Sequence, residues 1–162
     1  MRVIFLDIDG VLNSSRTAVA FGKDWLRKFD PVSVQMLHRV VSNADAKIVI
    51  SSTWRLFDGW REVIIGSLIE AGWPTDNTGS IIYSRTTTDT DEWILNTEKS
   101  RGEEIAEWLD EHPEFIDYII IDDDNDMLDS QLSRFIHCDR DIGFGYKQWQ
   151  QIKEIWPEVY KW

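Results

Sequence analysis

Apolar residues in this chain fall in short unbroken runs that alternate with stretches of helical spacing. Val3 to Leu6 is a continuous apolar run closed by Asp7 and Gly10, the pattern of a strand buried on both faces of a parallel sheet. Asp30-Pro31 then opens a helix whose apolar positions Val34, Leu37, Val40 and Val41 keep helical spacing to about Ala44. Lys47 to Ile50 repeats the buried-strand pattern and ends at Ser51. From about Trp54 to Ala71 the apolar spacing predicts one helix, stopped by Gly72 and Pro74. Ile81 to Tyr83 reads as a short third strand. Ser84 to Ser100 is polar and without period, an exposed excursion over one edge of the sheet. Helical spacing resumes from Arg101 to His112. Tyr118 to Ile121 is the clearest strand and runs straight into Asp122, Asp123, Asp124 and Asp126. A strand at Phe135 to Cys138 and a helix over about Tyr146 to Trp156 complete the series.

Alternating buried strands and helices predict a single α/β domain spanning residues 1–162, a three-layer Rossmann-like arrangement with a parallel sheet and helices on both faces. Ligands in such sheets sit beyond the carboxyl ends of the strands. Three predicted strands carry polar chemistry to that edge: Asp7 and Asp9, Ser51 and Ser52, Asp122 and Asp123. A D-x-D-G match is expected only about 0.1 times by chance in a chain this acidic, and far less often behind four apolar residues.

The chain has 162 residues, 17 Lys+Arg against 29 Asp+Glu, and a net charge of −12. That charge repels a phosphate backbone, so no long nucleic-acid track is expected. The single cysteine, Cys138, excludes a disulfide framework or a cysteine zinc site and points to a reducing compartment, with the cytoplasm as the expected location. Neither a membrane span nor a signal peptide is expected, because Met1 to Leu6 is a short apolar run that stops at Asp7. His38, His112 and His137 are scattered and support no histidine site.

Residues i and i+2 of an extended segment point the same way, so Asp7 and Asp9 are expected to face one site. Asp122 and Asp123 raise the count there to as many as four carboxylates, whose repulsion is relieved by protonation or by a cation. Oxygen-only ligands select a hard ion such as Mg²⁺. A carboxyl group kept protonated by its neighbours suits general-acid work.

Leu6-Asp7-Ile8-Asp9-Gly10-Val11, Ile50-Ser51-Ser52-Thr53-Trp54-Arg55, a basic residue at Lys99 or Arg101, and Ile121-Asp122-Asp123 together resemble the haloacid dehalogenase-like (HAD) superfamily of phosphotransferases. More narrowly, F-L-D-I-D-G-V-L-N, I-S-S-T-W-R, R-G-E-E-I-A-E-W-L and I-I-I-D-D-D-N-D are similar to the small capless branch found in RNA-repair (Swiss Army Knife) proteins. The resemblance implies a phosphomonoester hydrolase working through an aspartyl-phosphate. In that scheme Asp7 is the nucleophile and Asp9 the general acid and base. Mg²⁺ is held by Asp7, the backbone carbonyl of Asp9 and Asp123, with Asp122 a ligand or its neighbour. Ser51 binds a phosphoryl oxygen, with Ser52 as the alternative, and Lys99 or Arg101 offsets the phosphate charge. Gly10, Ser52 and Arg55 join as candidate substrate-binding residues, Arg55 alternatively pairing with surface acids.

Asp124 and Asp126 read as solvated or supporting acids, and Trp25 and Trp93 as packing residues with base stacking the alternative. The longest insertions, Asn13 to Phe29 and Ser84 to Ser100, are too short for a cap domain of about 60 residues, so an open site is expected. Such a site accepts a phosphorylated small molecule or a nucleic-acid end. A non-catalytic phosphate- or metal-binding module with the same fold is the other class of reading. A receiver-type phospho-acceptor domain is disfavoured, because it places the acidic pair ahead of the acceptor aspartate. Oligomeric state is not readable from these residues.

Overall fold

The computed structural model describes residues 1–23, 28–76, 78–87 and 99–160. Five strands form one all-parallel sheet: β1 (Arg2–Leu6), β2 (Ala46–Ile50), β3 (Ile82–Arg85), β4 (Asp117–Asp122) and β5 (Phe135–His137), in the order β3-β2-β1-β4-β5. Six α-helices accompany them in the described residues: α1 (Ser15–Phe21), α2 (Pro31–Ala44), α3 (Trp60–Glu70), α4 (Thr78–Ile81), α5 (Arg101–Glu111) and α6 (Tyr146–Ile155). This is the Rossmann-like α/β class expected from the apolar runs.

The strands lack polar alternation because both faces of the sheet are covered. Val3 and Phe5 of β1 join Val49, Ile120 and, from α5, Ile105 and Trp108 on one face. Ile4 and Leu6 point the other way, into a larger cluster with Val34, Leu37 and Val40 of α2, Ile64 and Leu68 of α3, and Ile152 of α6. Helix starts are set locally. The Asp30 carboxylate accepts from the Val32 N–H at 2.8 Å with Pro31 as the first helical residue, and Ser100 and Glu103 form a reciprocal capping box that starts α5 at Arg101.

The elements depart from the expected pattern at three points, one of them the short helix α4 ahead of β3, which begins at Ile82. The single helix expected from Trp54 to Ala71 is a 3₁₀ turn, Thr53–Leu56, and then α3, separated by Gly59 at φ 70°. The insertion after the first motif contains α1, which buries only Thr17 and so carries no apolar stripe to reveal it. Trp25, Trp93 and most of the expected 84–100 excursion lie outside the described residues. No helix among the described residues is long and apolar enough to cross a membrane.

Strand register decides what meets at the carboxyl edge. Leu6 pairs with Ile50 on one side and Ile121 on the other, so Ser51, Asp7 and Asp122 stand side by side at the ends of β2, β1 and β4. The chain leaves β1 toward β2 and β3, then returns to build β4 and β5 on the opposite side. The crevice between β1 and β4 is therefore the topological switch point.

Candidate active site

Asp7 and Asp122 are both buried, at 6% and 0% exposure, and with Asp123 they place one carboxylate oxygen each within 4.8 Å of the others. Three of the four strand-end acids thus gather. Asp9 is not part of that group, because β1 stops at Leu6 and the chain turns: the N–H groups of Val11, Leu12 and Asn13 all point to the Ile8 carbonyl. The Asp9 side chain lies on the exposed side of this turn. It accepts from Asn13 Nδ2 at 2.8 Å and from Trp54 Nε1 at 3.0 Å, which fixes its orientation. Asp7 and Asp9 nonetheless line the same cleft, with the turn beginning only at the Ile8 carbonyl.

Gly10 makes the turn possible. Its φ of +74° favours glycine, and a Cβ built there would lie 2.2 Å from Asp123 Oδ2. Gly10→Ala is expected to cost about 1–2 kcal/mol from the left-handed backbone alone and to push Asp123 out of the cluster. Thermal melts paired with a Mg²⁺ titration check both parts. A variant with wild-type melting and wild-type metal affinity contradicts the placement.

Of the two basic candidates, the structure brings Arg101 to the carboxylates. Its Nη1 lies 3.3 Å from Asp7 Oδ1 and 3.4 Å from Asp122 Oδ2, and also donates to the Ser51 carbonyl. Lys99 instead reaches Glu107 on the exposed side of α5, at 2.9 Å. Asp126 accepts from the Arg101 N–H at 2.9 Å and ties the start of α5 to the loop after β4.

Ser51 and Ser52 are fully buried. The Ser51 hydroxyl has no hydrogen-bond partner among the described residues, whereas Ser52 accepts from the Trp54 N–H and so caps the 3₁₀ turn. Arg55 is only 3% exposed, bonded to Glu104 at 2.7 Å and to the Ser51 carbonyl. Arg55 pairs with the buried Glu104 rather than with a surface acid, and it lines a separate cavity of about 470 Å³ with Arg85 and Thr86 rather than the cleft at Asp7.

Burial is the main influence on the charges. It pushes the Asp7 carboxyl up to about 8, with Asp122, Asp123 and Asp9 adding like charge and Arg101 pulling the other way. Asp122 is pushed up to about 6 for the same first reason, against the pull of Arg101 and the Asp124 N–H. Burial would lower Arg101, but Asp122, Asp7 and Glu104 together raise it.

The site opens into a cleft of about 630 Å³ lined by Asp7, Asp9, Gly10, Arg101 and Asp123 among the expected residues. Asn13, Thr53 and Arg140 also line it and carried no assignment from sequence. Asn13 and Thr53 lie inside the quoted motifs, so their signal was present. Arg140, 17 residues beyond Asp123 at the end of another strand, had none.

The carboxylate set fits a hard divalent cation. All donors are oxygen, the Asp122 Oδ2 atom is buried without a hydrogen bond, and a side chain at position 10 would fill the space beside Asp123. No curated protein and no solved structure matches the chain. A family model does, that of the HAD domain in Swiss Army Knife RNA repair proteins, over residues 3–148. That span includes the turn after β1, the Ser51 strand end, Arg101, the acidic pair after β4 and Arg140, and the chain belongs to this family.

Proposed function

We propose that the chain is a Mg²⁺-dependent phosphomonoesterase acting on nucleotide or nucleic-acid-end phosphates. The observation that carries this reading is the buried Asp7, Asp122, Asp123 cluster spanned by Arg101 at the sheet's switch point. Asp7, Asp122 and Asp123, with the Asp9 carbonyl, would hold the cation. When bound it supplies Lewis-acid neutralisation of the crowded oxygens and of the phosphate.

The chain's own residues account for the rest. An Asp7 carboxylate oxygen attacks phosphorus, forming the aspartyl-phosphate as the bond to the leaving oxygen breaks. Asp9, held by Asn13 and Trp54, gives its proton to that leaving oxygen. It then takes a proton from the water that attacks the aspartyl-phosphate, which releases inorganic phosphate and restores Asp7. Arg101 keeps its guanidinium on the Asp7 side of the cleft, where charge on the transferring phosphoryl group develops. Ser51, with its unpartnered hydroxyl, is the donor available to a phosphoryl oxygen. Among the described residues the cleft is open, which suits a bulky leaving group. The family's link to RNA repair favours a nucleic-acid end.

The test is phosphate release from an aryl phosphate, mononucleotides and 3′- and 5′-phosphorylated oligonucleotides in Mg²⁺. Release is expected to stop in EDTA and return when Mg²⁺ is restored. Mg²⁺ binding with no release across the whole panel would instead support the non-catalytic module.

A further inference from the structure

One ion pair at the mouth of the cleft has no place in the scheme above. Arg140 Nε donates to Asp123 Oδ2 at 2.5 Å and its Nη2 reaches Asp124 Oδ1 at 3.2 Å. The Asp123 side chain is 3% exposed while that of Arg140 is 68% exposed, so a buried carboxylate is neutralised by a largely solvated cation. Arg140 therefore takes the one carboxylate of the cluster that Arg101 does not contact.

Arg140 and Asp123 also line a second cavity of about 430 Å³, together with His137, Asp139, Gly143 and Lys147. Lys147 is exposed and has no ion-pair partner among the described residues. Two cations, Arg140 and Lys147, and two acids, Asp123 and Asp139, line this cavity; Asp123 is the carboxylate a divalent cation would take over, and Asp139 accepts from the Asp141 N–H. The loop is held in place by its backbone, since the Arg140 carbonyl accepts from the Ser15 N–H at 3.1 Å and the Asp141 carbonyl from the Arg16 N–H at 3.0 Å. The guanidinium is thus free to change partners without moving the loop.

We propose that Arg140 is a specificity-determining residue that serves two anions in turn. It neutralises Asp123 in the free chain, and when a divalent cation engages Asp123 it turns, with Lys147, to a second phosphate group of the substrate. This rests on the phosphatase reading and adds a substrate class to it: monoesters that carry another phosphate nearby, either on the same nucleoside or one nucleotide along. A cation at the cluster and Arg140 compete for the same Asp123 oxygen. Exchange sets metal affinity and substrate choice through one side chain.

Calorimetric titration of Mg²⁺ into the wild-type chain and into Arg140→Gln reads the first half without turnover. The variant is expected to bind Mg²⁺ about twofold to fivefold more tightly, the size of one largely exposed ion pair. For the second half, kcat/KM is measured on a nucleoside monophosphate, a nucleoside 3′,5′-bisphosphate and a phosphorylated dinucleotide. The preference of the wild type for one of the doubly charged substrates is expected to fall about tenfold in Arg140→Gln and in Lys147→Gln, and the preferred substrate identifies the source of the second phosphate. A wild type that binds Mg²⁺ and releases phosphate, beside an Arg140→Gln with the same metal affinity or the same preference, overturns this assignment alone. A wild type that neither binds Mg²⁺ nor turns over any substrate overturns the phosphatase reading together with it.

Discussion

Asp7→Asn is expected to lose about four orders of magnitude or more in turnover and at the same time to melt at a higher temperature than the wild type. On the proposed mechanism, the loss follows from removing the oxygen that attacks phosphorus. The gain follows from burial. Asp7 is held at about 8 in the folded chain against 3.8 when unfolded, so the folded state keeps a proton that the unfolded state gives up. With a chelator present, the contribution of Asp7 to stability is complete below about pH 4 and is lost as pH rises toward 8. Asparagine carries no charge and removes that part of the slope. Asp122, held at about 6, leaves a residual decline confined mostly below that pH. Arg101 keeps Asp122 as a partner in the variant. Melting curves from pH 5 to pH 8.5 in EDTA read the effect, with a gain at pH 8 of about 3–10 °C for a few kcal/mol in a chain of this size. A variant that melts lower than the wild type at pH 8 would show that Asp7 is not carrying uncompensated charge.

The same trade between stability and chemistry marks where the sequence was readable. Buried parallel strands show as unbroken apolar runs, and those ending at Leu6, Ile50 and Ile121 lie within two residues of the observed strands because nothing polar can stand on either face. Once these three ends are placed, register brings Asp7, Ser51 and Asp122 together without further information. The choice between Lys99 and Arg101 was also present in local signals. Ser100 followed by Glu103 is a capping box, which makes Arg101 the first residue of α5 and leaves Lys99 before it.

What escaped was structure with no period. The break at Phe57 to Gly59 was hidden because apolar spacing continues across it from Leu56 to Trp60. Helix α1 has Val19 at 88% exposure and offers no stripe. The hydrogen bond from Trp54 to Asp9 and the Arg140 pair with Asp123 join separate segments of the chain, and the bond from Asn13 to Asp9 depends on a turn without periodicity. Pattern reading has no access to such contacts.

Arg55 shows how a residue from a catalytic motif can act on the site through the fold alone, and it supports the second large effect. Glu104→Ala is expected to destabilise the chain by about 3–5 kcal/mol, because it leaves the Arg55 guanidinium buried without a counter-charge. Burial pulls Arg55 down to about 10, with Glu104 the main influence holding it up, and a guanidinium stripped of that partner stays charged because it does not deprotonate in proteins. The reverse change, Arg55→Met, is expected to cost less. Glu104 is already pushed upward by burial and can take a proton once its partner is gone. The methionine also fills the space of the lost stem. Stability of Arg55→Met should therefore fall as pH rises through the Glu104 range, while that of Glu104→Ala should not. The double variant Arg55→Met with Glu104→Leu should recover most of the loss, since two apolar side chains replace a buried pair. Function separates from stability in that double variant. Arg55 also donates to the Ser51 carbonyl, which Arg101 shares, so a well-folded double variant is expected to keep its melting temperature and lose part of its kcat as the Ser51 loop relaxes. Chemical denaturation of all three variants, read beside steady-state kinetics of the double, decides the matter. Equal costs for the two single variants would mean that the buried pair is not the asymmetric charge its surroundings indicate.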